Sequence, residues 1–352
     1  MLKNLKIGKK IVNDKRCLII AEAGVNHNGN IKNAEKLIVE AKKNGADFIK
    51  FQTYKAEKLT IKKSPRFWNW LGEKDKNGSQ YDSYKRLDIF NDKEYARLSS
   101  LCKKHKIEFL STPFDNEAVD LLLSLGVKAF KIASCDITNF PLIEKIAKTN
   151  LPIFLSTGAS NLEEIKNAVK LINKFHNKIC IMHCTLCYPT PDKFANLSAI
   201  KFLKDNFKNY HIGYSDHTLG IDISIASVAF GSRLIEKHFT YNKRLKKSAD
   251  HWLSISPKEL KKLRTSIDKV MDGIGIGTKK VLKCELKTRK LARRSLVLNK
   301  NLKKGEIISS KDLIPKRPGV GISPSEIKKI LGKKLRVNKY HDEVLFYKDL
   351  KK

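Results

Sequence analysis

The segment Gly213-Tyr-Ser-Asp-His-Thr218, together with Glu236-Lys-His-Phe-Thr240 further along the chain, decides the fold. Each segment lies at the end of a short apolar run, and a helix-like stretch, residues 221–230, separates them. Strands joined by such a helix are parallel, so both segments are predicted at the same edge of one sheet. His217 and His238 would then lie side by side, where two neutral imidazoles can bind a divalent cation. For either histidine alone, a local hydrogen bond is the simpler explanation.

The alternation of a short apolar run with an amphipathic stretch repeats from Cys17 to about Gly273. Strands are predicted at residues 17–22, 48–52, 107–111, 129–133, 153–156, 179–184, 210–214 and 233–237. Helices are predicted at residues 33–43, 92–104, 116–125, 142–149, 162–175, 197–206, 221–230 and 257–271. Eight strand–helix units with right-handed crossovers predict an α/β fold, a (β/α)8 TIM barrel, with a doubly wound open sheet as the alternative.

The alternation of apolar runs with amphipathic stretches stops after Gly277, and a different sequence pattern follows. Residues 281–294 are strongly charged and are predicted to be a linker that follows a catalytic barrel of residues 1–280. Residues 295–352 form a small β-rich domain in this prediction, with strands at 295–298, 305–308, 335–337 and 344–346 and a short helix from Pro324.

Two predicted loops exceed the usual length of barrel connections. The longer one follows Gln52 and carries aromatic side chains at residues 64–70 and 80–84. A long polar and aromatic insertion at a barrel rim is typical of a substrate-covering loop, and a dimer contact is the alternative. The second loop, residues 240–256, follows the last strand and contains Asp250.

The composition limits the classes of function. The 352 residues include 71 basic and 36 acidic side chains, which gives a net charge of +35. Such a charge suits phosphorylated substrates, and it permits non-specific nucleic-acid binding. The lysines, however, are spread along the chain without interleaved aromatic residues. A basic nucleic-acid-binding scaffold is therefore kept only as the alternative from a different functional class.

The seven cysteines form no framework of spacings, and the apolar runs are short. We therefore expect a cytoplasmic protein with reduced thiols and no membrane partner.

Polar side chains recur at the predicted carboxyl ends of the strands, where TIM barrels place their active sites. They are Glu22, Lys50, Gln52, Thr112, Lys131, Ser134, Asp136, Ser156, Tyr188, His217 and His238. The two lysines and the hydroxyl groups can bind phosphate and carboxylate groups. A divalent metal at the two histidines can act as a Lewis acid on a carbonyl, and Glu22 or Asp136 can transfer protons. This combination predicts carbon–carbon bond formation between a phosphorylated enol and an aldehyde.

A set of motifs covering nearly the whole chain in order resembles the sialic acid synthase family. They are Ile20-Ala-Glu-Ala-Gly-Val-Asn-His-Asn-Gly29, Ile49-Lys-Phe-Gln52, Leu110-Ser-Thr-Pro-Phe-Asp115, Lys131-Ile-Ala-Ser134, Leu155-Ser-Thr-Gly158, Tyr188-Pro-Thr-Pro191, Gly213-Tyr-Ser-Asp-His-Thr218 and Glu236-Lys-His-Phe-Thr240. The C-terminal region, with Lys316-Arg-Pro-Gly319, resembles the antifreeze-like (SAF) domain of that family.

The resemblance implies a transferase that condenses phosphoenolpyruvate with N-acetylmannosamine or a related 2-acetamido sugar. The product is a nine-carbon 2-keto sugar acid, and phosphate leaves by C–O cleavage. It further implies Mn²⁺ or Mg²⁺ at His217 and His238. The residues implied to hold phosphoenolpyruvate are Lys50, Thr112, Lys131, Ser134 and Ser156. Those implied to line the metal and sugar region are Glu22, Gln52, Tyr188 and Asp250.

The resemblance also implies a domain-swapped homodimer, in which Arg317 of the SAF domain reaches the barrel of the partner. Departures from the family pattern at Cys135, Cys187 and Ser248-Ala249 lie toward the sugar side. They leave open whether the acceptor is N-acetylmannosamine or a 2,4-diacetamido-trideoxy sugar, which would give legionaminic acid. A Schiff-base aldolase on the same fold is a further alternative, and it would need no metal.

Overall fold

The computed structural model describes residues 2–68, 78–245, 248–275 and 277–351. They form two compact units, Met1–Gly275 and Ile276–Lys352, and the division falls shortly before the predicted boundary at residue 280. Residues 69 and 70 of the predicted aromatic loop lie outside the described residues. In the part of the chain that is described, no helix is both long and apolar enough to cross a bilayer.

The first unit begins with an antiparallel hairpin of β1 (Leu5–Ile7) and β2 (Lys10–Val12), which the sequence pattern did not predict. The eight strands that follow are β3 (Leu18–Gly24), β4 (Phe48–Thr53), β5 (Glu108–Pro113), β6 (Phe130–Ile132), β7 (Ile153–Ser156), β8 (Ile179–Cys184), β9 (His211–Asp216) and β10 (Leu234–His238). Leu5, Ile7 and Val12 pack with side chains inside this sheet, so the hairpin covers one end of the interior.

The eight strands form one parallel sheet in the order β5-β4-β3-β10-β9-β8-β7-β6. The first strand of the sheet, β3, pairs with the last, β10, in the register Leu18 to Leu234. This pairing brings the two ends of the strand sequence together, as a barrel requires, and β5 and β6 lie side by side at the remaining junction. The predicted TIM barrel is therefore confirmed, and the open doubly wound sheet is not the fold.

Helices surround the sheet and follow the strands. They are α1 (Ile31–Lys43), α2 (Ala56–Leu59), α3 (Gln80–Lys85), α4 (Asp92–Lys104), α5 (Asn116–Ser124), α6 (Phe140–Lys148), α7 (Leu162–Asn173), α8 (Ser198–Asn206), α9 (Asp222–Ala229) and α10 (Pro257–Ile274). Local signals explain several of the starts: Asn91 caps α4, and Ser256 caps α10 with proline at its first position. The short helices α2 and α3 lie in the stretch after Gln52 that was expected to contain no helix.

The second unit contains α11 (Leu286–Ala292), β11 (Ser295–Leu298), β12 (Leu313–Lys316) and α12 (Ile327–Ile330). Helix α11 lies within the segment predicted as a linker. Strands β11 and β12 are antiparallel, and β11 matches its predicted range. The strands expected at 305–308, 335–337 and 344–346 are instead single bridges between irregular segments. Ten buried apolar side chains, including Leu296, Leu335 and Leu345, form the core.

Candidate active site

Alternation along the barrel strands decides which side chains face the interior. On β10, Leu234 packs with residues inside the barrel, whereas Ile235 packs in the layer between the sheet and the helices. Because side chains alternate along a strand, Glu236 and His238 share the inner face with Leu234. Lys237 points the other way, where its Nζ lies 2.8 Å from Oδ2 of Asp216 and both side chains are fully buried.

Lys50 on β4 projects into the interior and contacts two neighbouring strands. Its Nζ lies 2.8 Å from Oε2 of Glu22 on β3, and it donates a hydrogen bond of 3.0 Å to Oγ1 of Thr112 on β5. The lysine and the glutamate are each almost completely buried. Burial raises the pKa of Glu22 to about 7, although the Lys50 ammonium group opposes this.

Glu236 is the point on which the cationic side chains converge. Lys131 on β6, a strand on the opposite side of the barrel, reaches across the interior and donates to Oε1 of Glu236 at 3.0 Å. Ser215 donates to the same oxygen at 3.1 Å, and Nζ of Lys50 lies 3.8 Å from it. Burial opposes ionisation of Glu236, but the Lys131 and Lys50 ammonium groups outweigh burial and lower its pKa to about 2.

Two serines complete this side of the interior. The buried Oγ of Ser156 at the end of β7 has no hydrogen-bond partner among the described residues. Oγ of Ser134 accepts a hydrogen bond of 2.9 Å from the backbone N–H of Gly158. Two ammonium groups with hydroxyl groups beside them, in a buried setting, form a binding site for an anion. The predicted residues Lys50, Thr112, Lys131, Ser134 and Ser156 are thus brought together.

The two predicted histidines lie next to each other, with ring centroids 5.4 Å apart. The ring nitrogen Nδ1 of His217 lies 3.0 Å from the carbonyl oxygen of Thr185. A carbonyl only accepts, so Nδ1 of His217 carries the proton, and the lone pair of the neutral ring is on Nε2. Burial lowers the pKa of His238 well below its usual value, so this ring is neutral. Burial opposes protonation of His217 as well, but the neighbouring Cys184 side chain and the hydrogen bond to the Thr185 carbonyl outweigh burial and raise its pKa. In their neutral forms, the two imidazoles are suitable ligands for a divalent metal.

Carboxylate groups lie beside the histidines. Nδ1 of His238 is buried, has no hydrogen-bond partner among the described residues, and lies 3.6 Å from Oδ2 of Asp250. Burial raises the pKa of Asp250 to about 6. A Cβ atom on Gly24 would lie 3.2 Å from Oε1 of Glu22 and 3.4 Å from Oδ2 of Asp250, so these carboxylates approach each other at a position kept open by glycine.

These donors fit a divalent cation. Within the described ranges, no group of three or more His, Cys, Asp or Glu side chains forms a ready metal cage. Nδ1 of His238 has no hydrogen-bond partner among the described residues, and carboxylate oxygen atoms lie nearby. A metal bound by the two imidazoles would keep coordination positions open, as catalytic metal sites do. His217 and His238 would be the protein ligands, and water or substrate would supply the others.

Two further predicted residues complete the rim near the histidines. The ring of Tyr188 lies 4.1 Å from that of His217, centroid to centroid. Nε2 of Gln52 lies 3.5 Å from Oε1 of Glu22. Asp136 lies at the same end of the barrel, but its carboxylate accepts from Nδ2 of Asn139 at 3.0 Å and shares no such contact with Glu22.

Some features of the site were not identified from the sequence. Arg317, for which a role at the partner's barrel was predicted, lies in the second unit, in the turn after β12, and precedes a cis proline; its role at the site stays a prediction. Glu236 begins the segment 236–240, which was predicted at the sheet edge, but it was given no role, although its carboxylate contacts both lysines. The signal was available, because Glu236 precedes His238 by two positions and therefore shares its face.

The fold and the site define a barrel enzyme in which two buried lysines with neighbouring hydroxyl groups adjoin a pair of buried histidines. Residues 37–279 match the model of the NeuB family, and residues 293–351 match that of the SAF domain. The chain belongs to the NeuB family, the nonulosonic acid synthases, as the sequence motifs predicted.

Individual proteins show the same likeness. The chain is 46% identical over 334 residues to the N,N'-diacetyllegionaminic acid synthase of Campylobacter jejuni, covering 94% of this chain and 99% of that protein. It is 42% identical over 327 residues to the synthase of the same name from Legionella pneumophila, covering 92% and 91%. A crystal structure of N-acetylneuraminic acid synthetase from Leptospira borgpetersenii has a TM-score of 0.73 at 35% identity, covering 82% of this chain and 95% of that one.

The ionised form of Glu236 should stabilise the barrel. Its pKa is about 2 in the fold and 4.5 ordinarily, so this contribution is complete above pH 4.5 and is lost as the pH falls toward 2. We expect Glu236→Gln to lower the free energy of unfolding at pH 7 by about 2–3 kcal/mol. The difference from wild type, measured by urea denaturation, should shrink below pH 4.5.

The exposed Glu57, which pairs with Lys85 at 2.5 Å, provides the control, because Glu57→Gln should leave the unfolding midpoint near that of wild type. Equal stability of Glu236→Gln and wild type at pH 7 would contradict the role assigned to this carboxylate.

Proposed function

We propose that this chain condenses phosphoenolpyruvate with 2,4-diacetamido-2,4,6-trideoxymannose to form N,N'-diacetyllegionaminic acid, with release of phosphate. The observation that carries the reaction class is the adjacency of the lysine site around Glu236 to the pair His217 and His238. The names of the Campylobacter and Legionella relatives support this acceptor. N-acetylmannosamine, giving N-acetylneuraminic acid, is the second candidate, and the likeness to the Leptospira synthetase supports it.

The lysine site suits the anionic substrate. Lys50 and Lys131 would bind the phosphate and carboxylate groups of phosphoenolpyruvate, with the hydroxyl groups of Thr112 and Ser156 as additional donors. Ser156 offers a buried hydroxyl that has no partner among the described residues, so binding an anion would satisfy it. Glu236 keeps both ammonium groups directed into the interior while the substrate is absent.

The carboxylates beside the histidines suit the proton transfers. Carbon C3 of phosphoenolpyruvate forms the new bond to the aldehyde carbon, water adds at C2, and phosphate leaves as its bond to C2 breaks. The water must lose a proton, and Glu22, whose pKa is about 7, can accept it near neutral pH. Mn²⁺ or Mg²⁺ held by His217 and His238 would polarise the aldehyde as a Lewis acid.

The decisive experiment measures phosphate release from phosphoenolpyruvate with Mn²⁺ against a panel of acceptor sugars, with products identified by mass. We expect the highest kcat/KM with the diacetamido sugar and loss of activity in EDTA. Preference for N-acetylmannosamine would establish the second candidate. Phosphate release that survives EDTA would contradict the metal requirement, condensation of pyruvate without phosphate release would favour the Schiff-base aldolase, and absence of phosphate release with every sugar would refute the synthase.

The histidine pair gives a direct test of the metal site. His238→Ala should reduce kcat by at least about 100-fold, because one of the two protein ligands is lost, while circular dichroism remains that of wild type. His176→Ala is the matched control, since His176 precedes β8 at the opposite end of the strands. Near-normal activity of His238→Ala would contradict the assignment.

We also propose the homodimer implied by the family, with Arg317 contributing to the site of the partner. Arg317→Ala and His238→Ala should each be inactive alone. Co-expressed with different tags, they should form mixed dimers that contain one complete site, with about a quarter of wild-type activity for random association. Absence of activity in purified mixed dimers would contradict a contribution in trans.

A cytoplasmic location remains a prediction, which the seven free thiols support.

A further inference from the structure

Five aromatic side chains form a continuous surface at the rim, here called the aromatic wall. They are Tyr54, Phe67, Trp68, Tyr84 and Tyr188. Phe67 packs edge-on against Trp68, with ring centroids 4.8 Å apart, and lies 6.4 Å from Tyr188. Trp68 lies 5.8 Å from Tyr84, which lies 5.5 Å from Tyr54. Since Tyr188 is in contact with His217, the wall extends outward from the histidine pair.

Hydrogen bonds hold the wall in place. The backbone N–H of Gln80 donates to the carbonyl oxygen of Ser64 at 2.8 Å, and the side-chain amide of Gln80 donates to that of Pro65 at 2.7 Å. These bonds fix the segment just before Phe67 against the start of α3. At the other end, the hydroxyl of Tyr54, which directly follows β4, donates to the carbonyl oxygen of Tyr84 at 3.3 Å. The wall is therefore a positioned surface.

Phe67 is the member of the aromatic wall whose ring is largely exposed to solvent. Its side chain is 60% exposed, whereas Tyr54 is buried in the same wall. An exposed aromatic ring that is held in place beside a substrate site is a surface suited to an apolar part of a ligand. Phe67 has no hydrogen-bonding group, so a hydroxyl placed against its ring would lose its water without gaining a partner there.

We propose that Phe67 is the residue that selects a 6-deoxy acceptor sugar, by packing against the methyl group at C6. This inference rests on the proposed function, in which the aldehyde end of the sugar lies at His217 and His238. The rest of the sugar then extends past Tyr188 toward Phe67. A methyl group gains apolar contact there, whereas the hydroxymethyl group of N-acetylmannosamine buries a hydroxyl. Trp68 is a positioning residue that supports the Phe67 ring.

The test uses two acceptors that differ only at C6, 2,4-diacetamido-2,4,6-trideoxymannose and its counterpart with a hydroxymethyl group at C6, with the full-length enzyme, Mn²⁺ and phosphoenolpyruvate. Wild type should prefer the 6-deoxy sugar by about tenfold in kcat/KM. In Phe67→Ser the preference should fall to about twofold or less, through a higher KM for the 6-deoxy sugar. The KM for phosphoenolpyruvate should not change, because the wall is separate from the lysine site.

Phe194→Ser is the matched control, because Phe194 is a similarly exposed phenylalanine, at 56%, outside the aromatic wall. It should keep the wild-type preference, and Phe67→Leu should retain most of it. An unchanged preference in Phe67→Ser, or equal losses for both sugars, would overturn the inference while leaving the synthase intact. Failure of wild type to use either sugar would instead overturn the proposed function, and the inference with it.

Discussion

The carboxylate of Glu236 is the constraint on which the site depends. Two ammonium groups buried in a barrel interior repel each other and lose their hydration, and a nearby anion is required to keep them charged. Glu236 on β10 supplies that anion for Lys131, at 3.0 Å, and is the carboxylate that both lysines share, since it also lies 3.8 Å from Lys50, whose nearer partner is Glu22 at 2.8 Å. Because Lys131 lies on the opposite side of the barrel, the interaction depends on the closure of the sheet.

The same strand links this charge cluster to the histidine pair. His238 follows Glu236 by two residues, which places both side chains on the inner face at successive levels. The anion-binding groups therefore lie deeper in the barrel and the imidazoles lie nearer its rim. An anionic substrate bound at the lysines would lie beneath an aldehyde bound at the histidines. Strand geometry thus gives the order in which the two reactants stack, and no loop movement is needed to bring the two groups of residues together.

The sequence was sufficient to predict the barrel and the residues at its strand ends, but not the direction of each side chain. Barrel strands are buried on both faces, so polar residues near their carboxyl ends are not separated from apolar ones by a regular alternation from which a face could be assigned, as Glu236-Lys-His238 on β10 illustrates. Lys237 was expected at the rim with Glu236. It lies instead behind the sheet, where Asp216 accepts from Nζ of Lys237 at 2.8 Å. The contact with Asp216 shows that this lysine is structural, whereas the interior position of Glu236 could have been inferred from its two-residue offset from His238.

Short elements were missed for a different reason. The hairpin of β1 and β2 contains three residues per strand, too few for a periodic pattern, although Gly8 at the turn, with φ of 55°, was a usable signal. In the second unit, isolated bridges such as Ile307 to Lys334 replace predicted strands. There, contacts between irregular segments hold the core together, and a single sequence contains no local pattern for such contacts.

The lysine site and the aromatic wall differ in the structural elements on which their residues lie. Lys50 and Glu236 lie on strands that are hydrogen-bonded to a neighbour on each side, and Lys131 lies on β6, which is hydrogen-bonded to β7. Phe67 and Tyr188 lie in connecting segments, which tolerate substitution and insertion more readily than strands do. A change of acceptor sugar therefore requires changes only in loops, whereas a change of the anionic substrate would require rebuilding a buried charge cluster. This asymmetry agrees with the relatives of this chain, whose names specify different sugar acids although their sequences or folds are similar to its own.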